Sequence, residues 1–177
     1  LDMGTSRDNI LDVQGVISLN AAANPLVIQN GTFKLSSAST ITPFTTGAGA
    51  TIPASGGFWV NGGTVTTGNL TWTIYGLLRV SAGTLTVGIN PGNSVSYRIG
   101  SVITIEGGLL SIAGRLGRDT LASRVTYTQS GGTVTVVRVG SVSTLYAGFD
   151  IGASGSSFTM SGGTIVIQQS TSCTAGD

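Results

Sequence analysis

The stretch Tyr127-Thr128-Gln129-Ser130-Gly131-Gly132-Thr133-Val134-Thr135-Val136 sets two short alternating runs on either side of a Gly-Gly pair. Threonine alternating with a bulky apolar residue is the period-2 pattern of a strand with one buried face. Glycine suits the junction because it reaches positive φ without a Cβ clash. Five more segments share the layout: Asn30-Gly31-Thr32-Phe33, Asn61-Gly62-Gly63-Thr64-Val65, Ser81-Ala82-Gly83-Thr84-Leu85, Glu106-Gly107-Gly108-Leu109-Leu110 and Ser161-Gly162-Gly163-Thr164-Ile165. The residues that follow the last glycine are 32, 64, 84, 109, 133 and 164, with spacings of 32, 20, 25, 24 and 31. A short apolar run precedes each, from Leu26-Val27-Ile28 to Phe58-Trp59-Val60 and Phe158-Thr159-Met160. The unit is therefore strand, polar-Gly-Gly corner, strand.

Such a corner closes either a hairpin or a bend in a coil. In a hairpin the arms pair with each other and the chain becomes an antiparallel β-sandwich. In a solenoid each arm pairs with the same arm one turn later. The repeat of about 20–32 residues matches one coil. The sequence predicts an all-β, right-handed parallel β-helix of about six or seven coils over 26–169. An irregular segment or cap is expected over 1–25 and a flexible tail over 170–177.

The segments Tyr127–Val136 and Phe158-Thr159-Met160-Ser161-Gly162-Gly163-Thr164-Ile165 resemble repeats of bacterial surface β-helix proteins, adhesins and autotransporter passengers among them. The resemblance spans roughly 26–167. It implies a secreted, extended β-helix used in adhesion or in building a surface layer, and it carries over no catalytic residue.

Composition narrows the chemistry. Of 177 residues 28 are glycine, only 8 % are charged and none is histidine. A Ser-His-Asp triad and a histidine metal site therefore lack their imidazole. The single cysteine, Cys173, forms no disulfide within the chain. A net charge of +1 offers nucleic acid no general attraction. No charge occurs between Lys34 and Arg79, yet prolines and glycines interrupt that stretch, so no transmembrane helix is expected. Leu1 and its acidic neighbours Asp2 and Asp8 do not read as a secretory signal. A hydrophobic fraction of 40 %, set in alternation, separates the chain from a Gly/Ser linker.

Candidate contact residues are few. Arg115 and Arg118, in a segment that interrupts the alternation (Gly114–Thr120), are expected on a protruding loop able to meet an anionic glycan or a partner. Trp59 and Trp72 are candidates for stacking on sugar rings, with burial in the core as the competing reading. Asp119 and Asp150 stand 31 residues apart, a spacing that can place them on neighbouring coils. The seven acids, Asp2, Asp8, Asp12, Glu106, Asp119, Asp150 and Asp177, form no evident catalytic pair or Ca²⁺ loop. Thr-x-Thr recurs at Thr64/Thr66, Thr71/Thr73, Thr84/Thr86, Thr126/Thr128 and Thr133/Thr135. An aligned ladder of such pairs has the character of an ice-binding surface, but the irregular spacing speaks against alignment.

The corner glycines Gly31, Gly62, Gly63, Gly83, Gly107, Gly108, Gly131, Gly132, Gly162 and Gly163 are read as structural. The sequence points to a non-enzymatic building block of a cell-surface fibre, adhesin or layer, without cofactor or metal, joining its own kind through solenoid ends or faces. A polysaccharide-binding or polysaccharide-cleaving β-helix is the alternative.

Overall fold

The computed structural model describes residues 1–20, 24–45, 50–137 and 147–168. Arg138, Cys173 and the expected tail lie outside them. In chain order the strands are β1 (Ile10–Val13), β2 (Gly31–Leu35), β3 (Thr40–Phe44), β4 (Thr51–Ile52), β5 (Gly56–Thr67), β6 (Trp72–Ile74), β7 (Leu77–Val87), β8 (Val95–Tyr97), β9 (Ser101–Ile105), β10 (Leu109–Ile112), β11 (Leu116–Arg118), β12 (Val125–Gln129), β13 (Thr133–Val136), β14 (Ser157–Met160) and β15 (Thr164–Ile167). The described residues contain no helix, and every strand pairing is parallel.

The chain is a three-sided β-solenoid. The first face stacks β1, β2, the start of β5, the start of β7, β9, β12 and β14. The second stacks β3, the end of β5, the end of β7, β10, β13 and β15. The third holds β4, β6, β8 and β11, continued by a bridge from Leu116 to Phe149. The longest face thus has the rung number expected from the sequence, while about five turns carry all three faces. The antiparallel alternative is excluded by the parallel register.

The interior is built from like side chains on successive rungs. Phe33, Phe58, Leu78, Ile103, Tyr127 and Phe158 form one inward column, and Ile41, Val65, Leu85, Leu110, Val134 and Ile165 another. Most of these are fully buried, each contributing about 1.5–3 kcal/mol of transfer free energy. The column Leu35–Val60–Val80–Ile105 is then interrupted by the buried Gln129. Its Oε1 accepts from the Tyr127 hydroxyl at 2.6 Å, and its Nε2 donates to Gly131 O and Thr164 O at 3.2 Å. The amide is satisfied, so this polar group can sit in an apolar bore.

The corner between the first and second faces explains the paired glycines. Between the first and second faces, Gly108 has φ +67°, and a Cβ there would lie 2.4 Å from Gly83 O of the rung before. The preceding Gly107 has an ordinary φ, yet its Cβ would meet Ser81 O at 2.4 Å. One glycine serves conformation, the other close approach. Gly31 does not belong to this corner. It opens β2 opposite Gly56, so Thr32–Leu35 lies on the first face, and the equivalent corner of that coil is Ser36–Ser39. Leu26–Ile28 accordingly forms no strand. The segment 1–25, expected as an irregular stretch or cap, supplies the first rung through β1, which has no Gly-Gly corner to announce it.

Candidate functional site

The surface carries its charge in columns that cross from rung to rung. On the first face Asp12, Lys34, Trp59 and Arg79 are successive neighbours in register. Lys34 Nζ lies 2.9 Å from Asp12 Oδ2 and 4.3 Å from the centre of the Trp59 ring. Ser36 and then Lys34 hold the Asp12 carboxyl below its ordinary value of 3.8. Arg79 covers the same Trp59 ring at 3.8 Å and bonds Glu106 through Nε (3.0 Å) and Nη2 (2.8 Å). The indole N–H donates to Ser81 Oγ (2.6 Å), Ser81 donates to Asn61 Oδ1 (2.6 Å), and Asn61 Nδ2 donates to Ser36 Oγ (3.1 Å). Both cations and this hydroxyl chain fix Trp59 in place, and no open ring face is left for a sugar.

Trp72 is fully buried. Its ring meets Phe44 and Phe58 edge-on at 5.2 and 5.3 Å inside the bore. It cannot touch a glycan. Alternation with the equally buried Ile74 turns it inward, the reading that competed with sugar stacking.

Arg115 and Arg118 do not project on a loop. Leu116–Arg118 is β11, paired with β8 on the third face. Arg118 Nε donates to Asp150 Oδ2 at 2.7 Å, and Arg115 Nη2 donates to Arg118 O at 3.1 Å. The Asp150 side chain is only 7 % exposed, and its backbone oxygen accepts from the Tyr97 hydroxyl at 2.9 Å. Burial, followed by the Asp150 charge, pushes Tyr97 up to about 12. Arg98 pairs with Asp119 and lies over Tyr75. Arg98, Arg115 and Arg118 are therefore engaged internally. Asp119 and Asp150 do not form a carboxylate pair, since each is bonded to an arginine of the adjoining rung.

Four ion pairs join Asp12, Glu106, Asp119 and Asp150 to bases. Asp2 accepts from Asn30 and Asp8 from Ser6. Among the described residues no three His, Cys, Asp or Glu side chains come together as a metal site would require, and no helix is long and apolar enough to cross a membrane. An open cleft of about 470 Å³ beside Leu26, Phe44, Ala50 and Pro53 carries no ionisable side chain.

What the sequence reading missed is the second face. Its outward positions are Thr40, Thr64, Thr84, Leu109, Thr133 and Thr164 in one column. Thr66, Thr86, Ser111, Thr135 and Val166 form the other, with Thr42 bonded to Thr66 below them. The spacing of 32 arose from Gly31, which belongs to another corner; Thr40 to Thr64 is an ordinary turn. Remaining length differences fall in the connections between faces. Thr71/Thr73 and Thr126/Thr128 lie instead on the third and first faces.

Comparison of the chain with family models, with curated proteins and with solved structures gives no match.

Proposed function

We propose that this chain is a non-enzymatic structural segment of a secreted cell-surface fibre, adhesin or layer, joined to further solenoid rungs through its ends. One observation carries the reading. The last described rung leaves its inward columns open to solvent: Phe158 is 49 % exposed, Met160 40 % and Ile167 51 %. The same columns are closed over in the turns between the two ends. At the opposite end Ile10 and Leu11 of β1 are also exposed. A strand laid on β14 would bury Phe158 and satisfy the outer backbone edge at once. When β1 of a second copy supplies that strand, Leu11 falls on Phe158 and Val13 on Met160, a head-to-tail contact that extends without closing.

Enzymatic use has less support, because the carboxylates at 12, 106, 119 and 150 are held in ion pairs rather than in a groove. A polysaccharide-binding role loses its two tryptophans to the cation stack and the bore. The test is the size of the purified chain across a concentration series by light scattering, with negative-stain microscopy. Concentration-dependent rods that Phe158→Lys abolishes are expected. A wild-type chain that stays monomeric throughout, or rods that persist in a folded Phe158→Lys variant, would overturn end joining.

A further inference from the structure

We infer that the second face is an ice-binding surface. The reading goes beyond end-to-end assembly and uses the flank of the solenoid rather than its ends, so either can fail alone.

From Thr64 to Thr164 the two outward columns run through five rungs with no register shift at the Thr-x-Thr positions. Parallel rungs repeat at about 4.8 Å, and alternate residues along a strand at about 6.6 Å. The face is thus a two-dimensional grid of hydroxyl and methyl groups. The rung repeat lies close to the shorter oxygen–oxygen repeat on the prism plane of hexagonal ice, while the repeat along the strand falls short of the longer one. Such a match survives several rungs only if they rotate little over one another. On this face the columns keep their partners without a slip from Thr64 to Thr164.

The chemistry of the grid agrees with its geometry. Threonine is stiff at χ1, so its hydroxyl and methyl are held in place before water arrives and lose little entropy on ordering it. No charged side chain stands in either column, although charge columns cross the first face and the edge of the third. Charged groups would impose their own hydration shells on the water layer. No aromatic ring stands there either, which separates this face from one that grips crystalline polysaccharide by stacking. Leu109, Ser111 and Val166 depart from threonine but keep the face uncharged and either apolar or hydroxylated. The lowest rung is less regular: the register shifts between Ile41 and Phe44, and Thr42 Oγ1 approaches Thr66 Oγ1 to 2.9 Å.

The test is nanolitre osmometry on the full chain, with crystal shape and recrystallisation followed in the same samples. The wild type should give faceted crystals, a gap between melting and freezing, and inhibited recrystallisation. Thr84→Lys and Thr135→Lys, one in each column, should lose all three while keeping the wild-type circular dichroism and melting temperature. Thr128→Lys on the first face should leave them unchanged. Rounded, freely growing crystals with the wild type would overturn the proposal. So would ice activity that persists in folded Thr84→Lys and Thr135→Lys variants, or co-sedimentation with crystalline cellulose or chitin in place of ice activity.

Discussion

Arg79 lays its guanidinium 3.8 Å from the centre of the Trp59 ring while holding Glu106 of the following turn by two hydrogen bonds. One side chain therefore couples three rungs. Each cation over a partly exposed ring is worth about 0.5–1 kcal/mol, and an exposed ion pair about 0.2–1 kcal/mol. Arg79→Ala should destabilise the chain by about 1–2 kcal/mol, lowering Tm by about 3–6 °C. It should also open one face of Trp59 to collisional quenchers. Calorimetry and fluorescence quenching check both effects, and an unchanged quenching constant would contradict the stack.

The corner glycines divide by environment. Gly108→Ala forces a side chain into φ +67° and places Cβ 2.4 Å from a backbone oxygen. The backbone penalty alone is about 1–2 kcal/mol, so a total loss of at least about 2 kcal/mol is expected by urea denaturation. Gly92 has nothing within 4 Å of a built Cβ and no positive φ. Gly92→Ala should be neutral, or stabilise by up to about 1 kcal/mol.

Gln129 tests how polar groups are tolerated in the bore. Gln129→Leu leaves the Tyr127 hydroxyl without its acceptor and should cost about 1–3 kcal/mol. Adding Tyr127→Phe removes the stranded group as well. The double variant should therefore lose less than the two single losses combined, a coupling that a double-mutant cycle reads directly.

Alkaline stability follows from Tyr97. Its proton is bound more tightly in the folded chain, with a value of about 12 against an ordinary 10.0. Below pH 10 both folded and unfolded forms keep the proton and the stabilisation is complete; it is lost as pH rises from 10 through about 12. Burial raises Tyr127 in the same direction. Stability measured by circular dichroism should fall across that window. Tyr97→Phe should make the fall shallower, and a native Tyr97 titrating at its ordinary value would refute the assignment.

The first two faces are legible in the sequence because four of their corners carry a Gly-Gly pair, one glycine for φ and one for space. That requirement recurs in near-identical words from Asn61-Gly62-Gly63 to Ser161-Gly162-Gly163. The third face is not legible. Its strands have two or three residues, too short for alternation to register, and Leu116-Gly117-Arg118 reads as an interruption when it is a rung. Trp72 and Trp59 are told apart only by which way their strands face. The threonine grid was hidden by one misassigned corner at Gly31, together with connections of unequal length that leave the face itself undisturbed.

Near-interchangeable turns bring a hazard of their own, since a chain folding from repeats can skip or double one and still bury its apolar columns. Among the described residues the column Asp12, Lys34, Trp59 and Arg79, tied on to Glu106 of the next rung, has no second copy. Skipping the Trp59 turn would set Lys34 against Arg79, and skipping the Arg79 turn would leave Glu106 beside a ring instead of a guanidinium. The apolar interior makes the turns alike, and this exterior line gives the first of them an address.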